Sequence, residues 1–163
     1  MVGGTCVVFR VSTLWCSLDR QFVRRILPLP TLDRPPGLPA AIEGTFDLAG
    51  TAVPVLRLDR LFGLPLSAAH IYQHLILCRD ESTPLCLLVD MVSHILPTPK
   101  TRIAALADGE TLNGCVSGRF QHGQAIVHML DGDRLLDQRE RRMLADFQAA
   151  RQRRYDSLET NQA

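Results

Sequence analysis

The sequence predicts an all-β fold that ends in one α-helix, and three observations carry that prediction. Apolar residues come in short runs, several alternating in the strand sense, as in CVVFRVS at 6–12. Ten prolines and eleven glycines fall in bursts between those runs, which favours many short strands and turns over long helices. Only residues 137–158, DQRERRMLADFQAARQRRYDSL, read as a sustained helix. At 163 residues and 46% hydrophobic content the chain makes one ordinary domain, or two small lobes sharing a core.

Bulk properties narrow the function classes. A net charge of +1 is neither a nucleic-acid nor a membrane signature for the chain as a whole. The start, Met1-Val2-Gly3-Gly4-Thr5, has no basic region and leads into a strand, so no secretory signal is expected. The longest clean apolar run, Leu85 to Val89, falls far short of the roughly 20 residues a membrane helix needs. Five cysteines with no Cys-x-x-Cys argue against a disulfide framework or a zinc knuckle. A soluble, cytoplasmic protein is the expectation.

Taken in order, Val7, Phe9 and Val11 share one face of the first strand, with Cys6, Val8, Arg10 and Ser12 on the other. Leu14 to Ser17 is its hairpin partner, with Trp15 as a core or rim anchor. Phe22, Val23, Ile26 and Leu27 give a brief helical pattern that stops at Pro28. Thr31 to Pro39 is Pro-rich and must be an extended connector. Two apolar runs then flank an Asp47-Leu48-Ala49-Gly50 corner, where Gly50 suits a positive φ and Asp47 can bond its own turn. In the run Ala52 to Leu56, Pro54 cannot donate to a ladder, which predicts an edge strand or a bulge. Leu58 to Phe62, stopped by Gly63 and Pro65, reads as one or two helical turns.

Ala68 to Gln73 reads as a loop or helical turn, and strands at 75–79 and 84–90 flank a polar loop at 80–83. Thr98 to Leu112 is a less patterned linker, and the last hairpin pairs 114–117 with 125–130. In the final helix Met143, Leu144, Phe147 and Arg151 form a narrow docking stripe. Residues 139–154 of this helix hold six arginines against Glu140 and Asp146, which read first as a solvated face.

Four blocks in this order resemble a known family. They are Pro36-Gly37-Leu38-Pro39, Gly44-Thr45-Phe46-Asp47-Leu48-Ala49-Gly50, Pro54-Val55-Leu56-Arg57-Leu58 and Phe62-Gly63-Leu64-Pro65. Leu87 to Val92 and Met129 to Leu136 add weaker matches, so that the resemblance spans residues 5–136. The chain resembles the CheW-like coupling and adaptor proteins of bacterial chemotaxis. That resemblance implies two five-stranded SH3-like β-barrel subdomains side by side, with short helical turns, over 5–136. The C-terminal α-helix at 137–158 and a frayed tail at 159–163 complete the division. It further implies a non-catalytic scaffold that needs no cofactor. Its partners would be the regulatory domain of a CheA-type histidine kinase and the cytoplasmic tip of a methyl-accepting chemoreceptor.

The resemblance places partner contacts at Arg25, Phe46, Asp47, Ala49, Gly50, Val55 and Arg57. Several of these depart from the family's pattern. Its corner Asn and Arg are Asp47 and Ala49 here, its acid before the third strand is Arg25, and its Asp after the Pro-Val strand is Arg57. Arg25 and Arg57 could compensate by pairing with Asp47 or Asp59. Alternatives are a barrel retuned to another partner, or a module for a small ligand or nucleic acid that uses Arg151, Arg153 and Arg154.

Catalytic and metal-binding patterns are thin. His70 and His74 have the four-residue spacing of two ligands on a helix face, but the sequence nominates no third ligand. Cys78, Cys86 and Cys115 lie in apolar strands, where cysteine is usually an inert small hydrophobe. No phosphate-cradling glycine pattern is present, and Asp90, Asp131 and Asp133 read as caps of strand ends and of the final helix. Nothing here specifies an enzyme.

Overall fold

The computed structural model describes residues 4–65, 73–79, 83–99 and 114–161. Ten strands carry it: β1 (Thr5–Val11), β2 (Leu14–Asp19), β3 (Val23–Pro28), β4 (Ile42–Leu48), β5 (Thr51–Arg57), β6 (His74–Cys78), β7 (Cys86–Val89), β8 (Met91–Pro97), β9 (Val116–His122) and β10 (Ala125–Leu130). Two helices join them, α1 (Leu58–Leu61) and α2 (Gln138–Asn161).

The strands form two five-stranded sheets, ordered β8-β1-β2-β10-β9 and β3-β6-β7-β5-β4. Both repeat one ladder: antiparallel, antiparallel, parallel, antiparallel. The expected all-β class with its paired five-stranded units and terminal helix is what folds. Among the described residues no ladder joins the outer strands of either sheet, so neither is a hydrogen-bonded closed barrel.

Strands this apolar need cover on both faces. Val7, Phe9, Val11, Cys16 and Leu18 from the first sheet meet Leu56, Ile76, Leu87 and Val89 from the second in a shared core. Cys6 and Val8 turn the other way, onto Phe120, Val127 and Met129 inside the first sheet. Phe46, Val55, Leu75, Leu77 and Leu88 fill the second. The alternation read from residues 6–12 therefore separates one core from another, not core from water. Trp15 packs at the margin of the first sheet's interior.

The structure departs from the local expectations in several places, among them the last hairpin, where β9 spans Val116–His122 and not 114–117. Residues 23–28 are strand, not helix: a 3-10 turn at Arg20–Phe22, capped by Asp19, is all that precedes β3. The helical spacing there is too short to outweigh pairing with β6. β5 lies inside its sheet, between β7 and β4, not at an edge. The alternative of a bulge is met beside Pro54, where the β4 register shifts between Ile42 and Gly44 opposite Leu56 and Val55. α2 runs on to Asn161, past the expected end at residue 158. Met143 is 45% exposed and lies off the docking stripe, while Leu144 and Phe147 pack into the shared core.

Capping also falls differently. Asp137 Oδ1 accepts from Glu140 N at 2.7 Å and Glu140 Oε1 accepts from Asp137 N at 3.0 Å, a reciprocal box that starts α2. Asp131 caps the 3-10 turn at Gly132–Arg134, and buried Asp90 accepts from Ser12 N at 2.8 Å. His70, the loop at 80–82 and linker residues 100–112 lie outside the described residues.

Candidate partner-binding surface

β4 and β5 form a hairpin in which Leu48 opposes Thr51, leaving Ala49 and Gly50 as its two-residue turn. Both turn residues have positive φ, 51° and 90°, which matches the right-handed twist of the flanking strands. Asp47 Oδ1 accepts from Gly50 N at 2.7 Å and holds the corner. Asp47 and Ala49 are exposed. The positive φ of Ala49 is the feature that sequence reasoning missed, since alanine gives no signal for it.

Pro54 is tolerated because of what each outward-facing group of β5 meets. The parallel ladder with β7 begins only at Val55, opposite Cys86, so the position of Pro54 needs no donor. Ahead of it, Ala52 would face outward unpaired, and α2 supplies the missing groups. Gln152 Oε1 accepts from Ala52 N at 2.7 Å, and Gln148 Nε2 donates to Ala52 O at 3.0 Å. Gln152 Nε2 also donates to Gly50 O at 2.8 Å. Two glutamines four apart on one helix face thus complete a strand edge that β7 leaves short. The proline in β5, paired with an i,i+4 glutamine pair on α2, was the sequence signal for this contact.

The helix also grips the connector before β4. Arg151, 12% exposed, pairs with Asp33. Asp33 itself forms a two-bond bridge with Thr45 on the outer edge of β4, at 2.7 and 2.9 Å. This close approach explains Gly44: a Cβ there would lie 2.8 Å from Asp33 O and 3.0 Å from Leu32 Cβ. Edge strand β4 is covered in consequence.

At the far end of β5 sits an ion-pair cluster. Arg57 makes a bidentate bond to Asp59, Nε to Oδ1 at 2.9 Å and Nη2 to Oδ2 at 2.8 Å. Its Nη1 lies 3.5 Å from Glu43 Oε2, and Arg34 and Arg60 approach the same carboxylate from outside. The Arg57 and Asp59 side chains are only 11% and 7% exposed. Hydrogen bonding to Asp59 raises the Arg57 pKa, chiefly, against the opposing pull of burial. Arg57 thus pairs with Asp59, one of the two compensations the sequence offered.

The seven residues singled out from sequence therefore divide. Asp47, Ala49 and Gly50 stand together at the corner. Phe46 and Val55 point into the second sheet's interior, and Arg57 is locked at the opposite end of β5. Arg25 is exposed on β3, the other outer strand of that sheet. No disulfide joins the described cysteines, and burial pushes Cys86 and Cys115 up to about 12 and raises Cys16 and Cys6 as well. Such thiols stay protonated at neutral pH and make poor nucleophiles.

The frame defines a class of protein: two open five-stranded sheets of identical ladder, side by side over a common core, with a hairpin corner at the surface. The sequence matches the CheW-like domain over residues 5–140, and the chain belongs to that family. A solved structure described as the scaffolding protein TtCheW from Thermoanaerobacter tengcongensis has the same fold. It superposes with a TM-score of 0.75 at 21% identity, over 84% of this chain and 90% of that one. No curated protein sequence matches. No described helix is long and apolar enough to cross a membrane.

Proposed function

We propose that the chain is a non-catalytic adaptor that couples chemoreceptor tips to a CheA-type histidine kinase, in the cytoplasm. The family match over residues 5–140 carries this reading. Residues 5–136 act as the coupling unit and the helix from 137 braces it. Recognition of this kind depends on exposed corners and strand edges, with charged side chains setting register and partner choice. Asp47, Ala49, Gly50 and Arg25 offer themselves to a partner, while Phe46, Val55 and Arg57 hold the corner and strand in shape.

Separate binding measurements with a CheA-type regulatory domain and with a receptor-tip fragment test the proposal. Binding to both is the expected result. Ala49→Arg restores the side chain the family carries at an exposed turn position, so it should strengthen one of the two interfaces without disturbing the fold. An anchor arginine at an interface contributes about 2 kcal/mol or more. If the chain binds neither partner, with or without Ala49→Arg, the coupling role is wrong.

A further inference from the structure

His94 on β8 and His122 on β9 meet across the seam of the first sheet. Their ring centroids are 5.3 Å apart, with an angle of 66° between the planes. β8 and β9 are the two outer strands of that sheet, and no ladder among the described residues joins them. Both imidazoles are exposed. Ser93 Oγ lies 2.6 Å from His94 Nδ1. In the tautomer that donates Nδ1–H to this hydroxyl, His94 Nε2 keeps its lone pair, the arrangement that commonly orients a metal-ligating histidine.

We propose that His94 and His122 form a two-histidine site for a divalent transition metal of the zinc and nickel type, joining β8 to β9. The spacing supports it. Zinc sits about 2.0–2.1 Å from an imidazole nitrogen and the ring centre about 1.1 Å beyond, so two ligands at a near-tetrahedral angle have ring centres roughly 5 Å apart. The observed 5.3 Å is close to that separation, so rotation of the two exposed side chains suffices to turn a ring nitrogen of each toward one ion. No cluster of three or more His, Cys, Asp or Glu ligands occurs among the described residues, so water completes the coordination sphere. Imidazole ligands select zinc, copper and nickel over magnesium and calcium, which prefer oxygen.

The location gives the site its consequence. A metal held there would fasten the open seam of the first sheet, and as a ligand of the native state alone it would raise stability with concentration. An edge-to-face ring pair is also favourable without metal, so the contact by itself does not decide the matter.

Titration calorimetry of the folded chain with Zn²⁺, together with Tm measured against Zn²⁺ and Mg²⁺ concentration, decides it. The expected result is one zinc site, a Tm that climbs with zinc and no response to magnesium. His94→Gln and His122→Gln should each weaken zinc binding by about tenfold or more, since outer-shell partners alone contribute 10–100-fold. Both positions are exposed, so the metal-free variants should fold and melt within a few degrees of the parent, the difference being the lost ring contact. His74→Gln, in the other sheet, should leave zinc binding unchanged. The proposal is overturned if the parent shows no zinc site, if zinc binding survives both substitutions, or if only His74→Gln abolishes it. Should either variant misfold, the parent's NMR spectrum takes its place: Ni²⁺ should broaden the His94 and His122 ring signals, and the absence of broadening overturns the proposal.

Discussion

The two sheets repeat one ladder, yet they are finished in different ways. In the first, outer strands β8 and β9 approach through side chains, with the His94–His122 ring contact at the seam. In the second, outer strand β4 is bridged by Asp33, the short inner edge of β5 is completed by Gln148 and Gln152, and Arg151 ties helix to connector. The ladder order sets which strands are neighbours and leaves the treatment of the edges open. All seven residues that the family resemblance nominates belong to the second sheet or its β4–β5 turn, and so do the backbone groups that Gln148 and Gln152 of the helix bond. Bracing the corner proposed for partner binding from behind keeps it preorganised, and preorganisation lowers the ordering cost of binding.

Substitutions test how far this difference goes. The largest effect should come from Phe9→Ala, which empties the core the sheets share and should cost about 3–5 kcal/mol. Urea unfolding should remain a single transition followed equally by probes in either sheet. Separate transitions would mean that the sheets are independent units and that the comparison is between two domains.

Next, Arg57→Ala strips a nearly buried Asp59 of its bidentate partner and should cost about 2–4 kcal/mol. Arg34→Ala removes a side chain that is 60% exposed, on the same Glu43, and should change stability by less than about 1 kcal/mol. Comparable losses in chemical denaturation would show that the cluster acts as a surface network and not as a sealed pair.

Gln152→Ala should cost about 1–2 kcal/mol by leaving the Ala52 amide without its partner. Hydrogen exchange sharpens the point, because protection should fall at Ala52 while β1 and β2 of the first sheet stay unchanged. Equal loosening of both sheets would contradict a brace specific to the second.

Smallest of all, Ala49→Gly should stabilise the chain by about 0.5–1 kcal/mol by relieving a positive φ of 51°. A Tm that falls instead would mean the turn adopts another conformation in solution.

Much of this was legible in the residues. Alternation in 6–12, the Asp47–Gly50 corner and the stop at Gly63-Leu64-Pro65 each rest on neighbours within a few positions, and local sterics decide them. Four ordered blocks were enough to point to the fold family. Arg57 with Asp59 was readable as an option because the two are close in sequence. The places where sequence misleads share a different cause. Residues 23–28 look helical until β6 pairs with them, and Pro54 looks like an edge residue until β7 proves too short to reach it. The glutamines of α2 lie about a hundred positions from the Ala52 N–H and carbonyl they satisfy.

The sequence by itself determined the strand-and-turn character, the hairpin corner and the terminal helix, since these follow from side-chain periodicity and from where glycine and proline permit the backbone to turn. Only the tertiary structure decided which face of each strand meets which core and how each exposed edge is closed. It also decided that Arg57 is spent on Asp59 and that two histidines meet across a seam. Those outcomes depend on contacts between residues far apart in the chain, whose energies appear only once folding has brought the partners within reach.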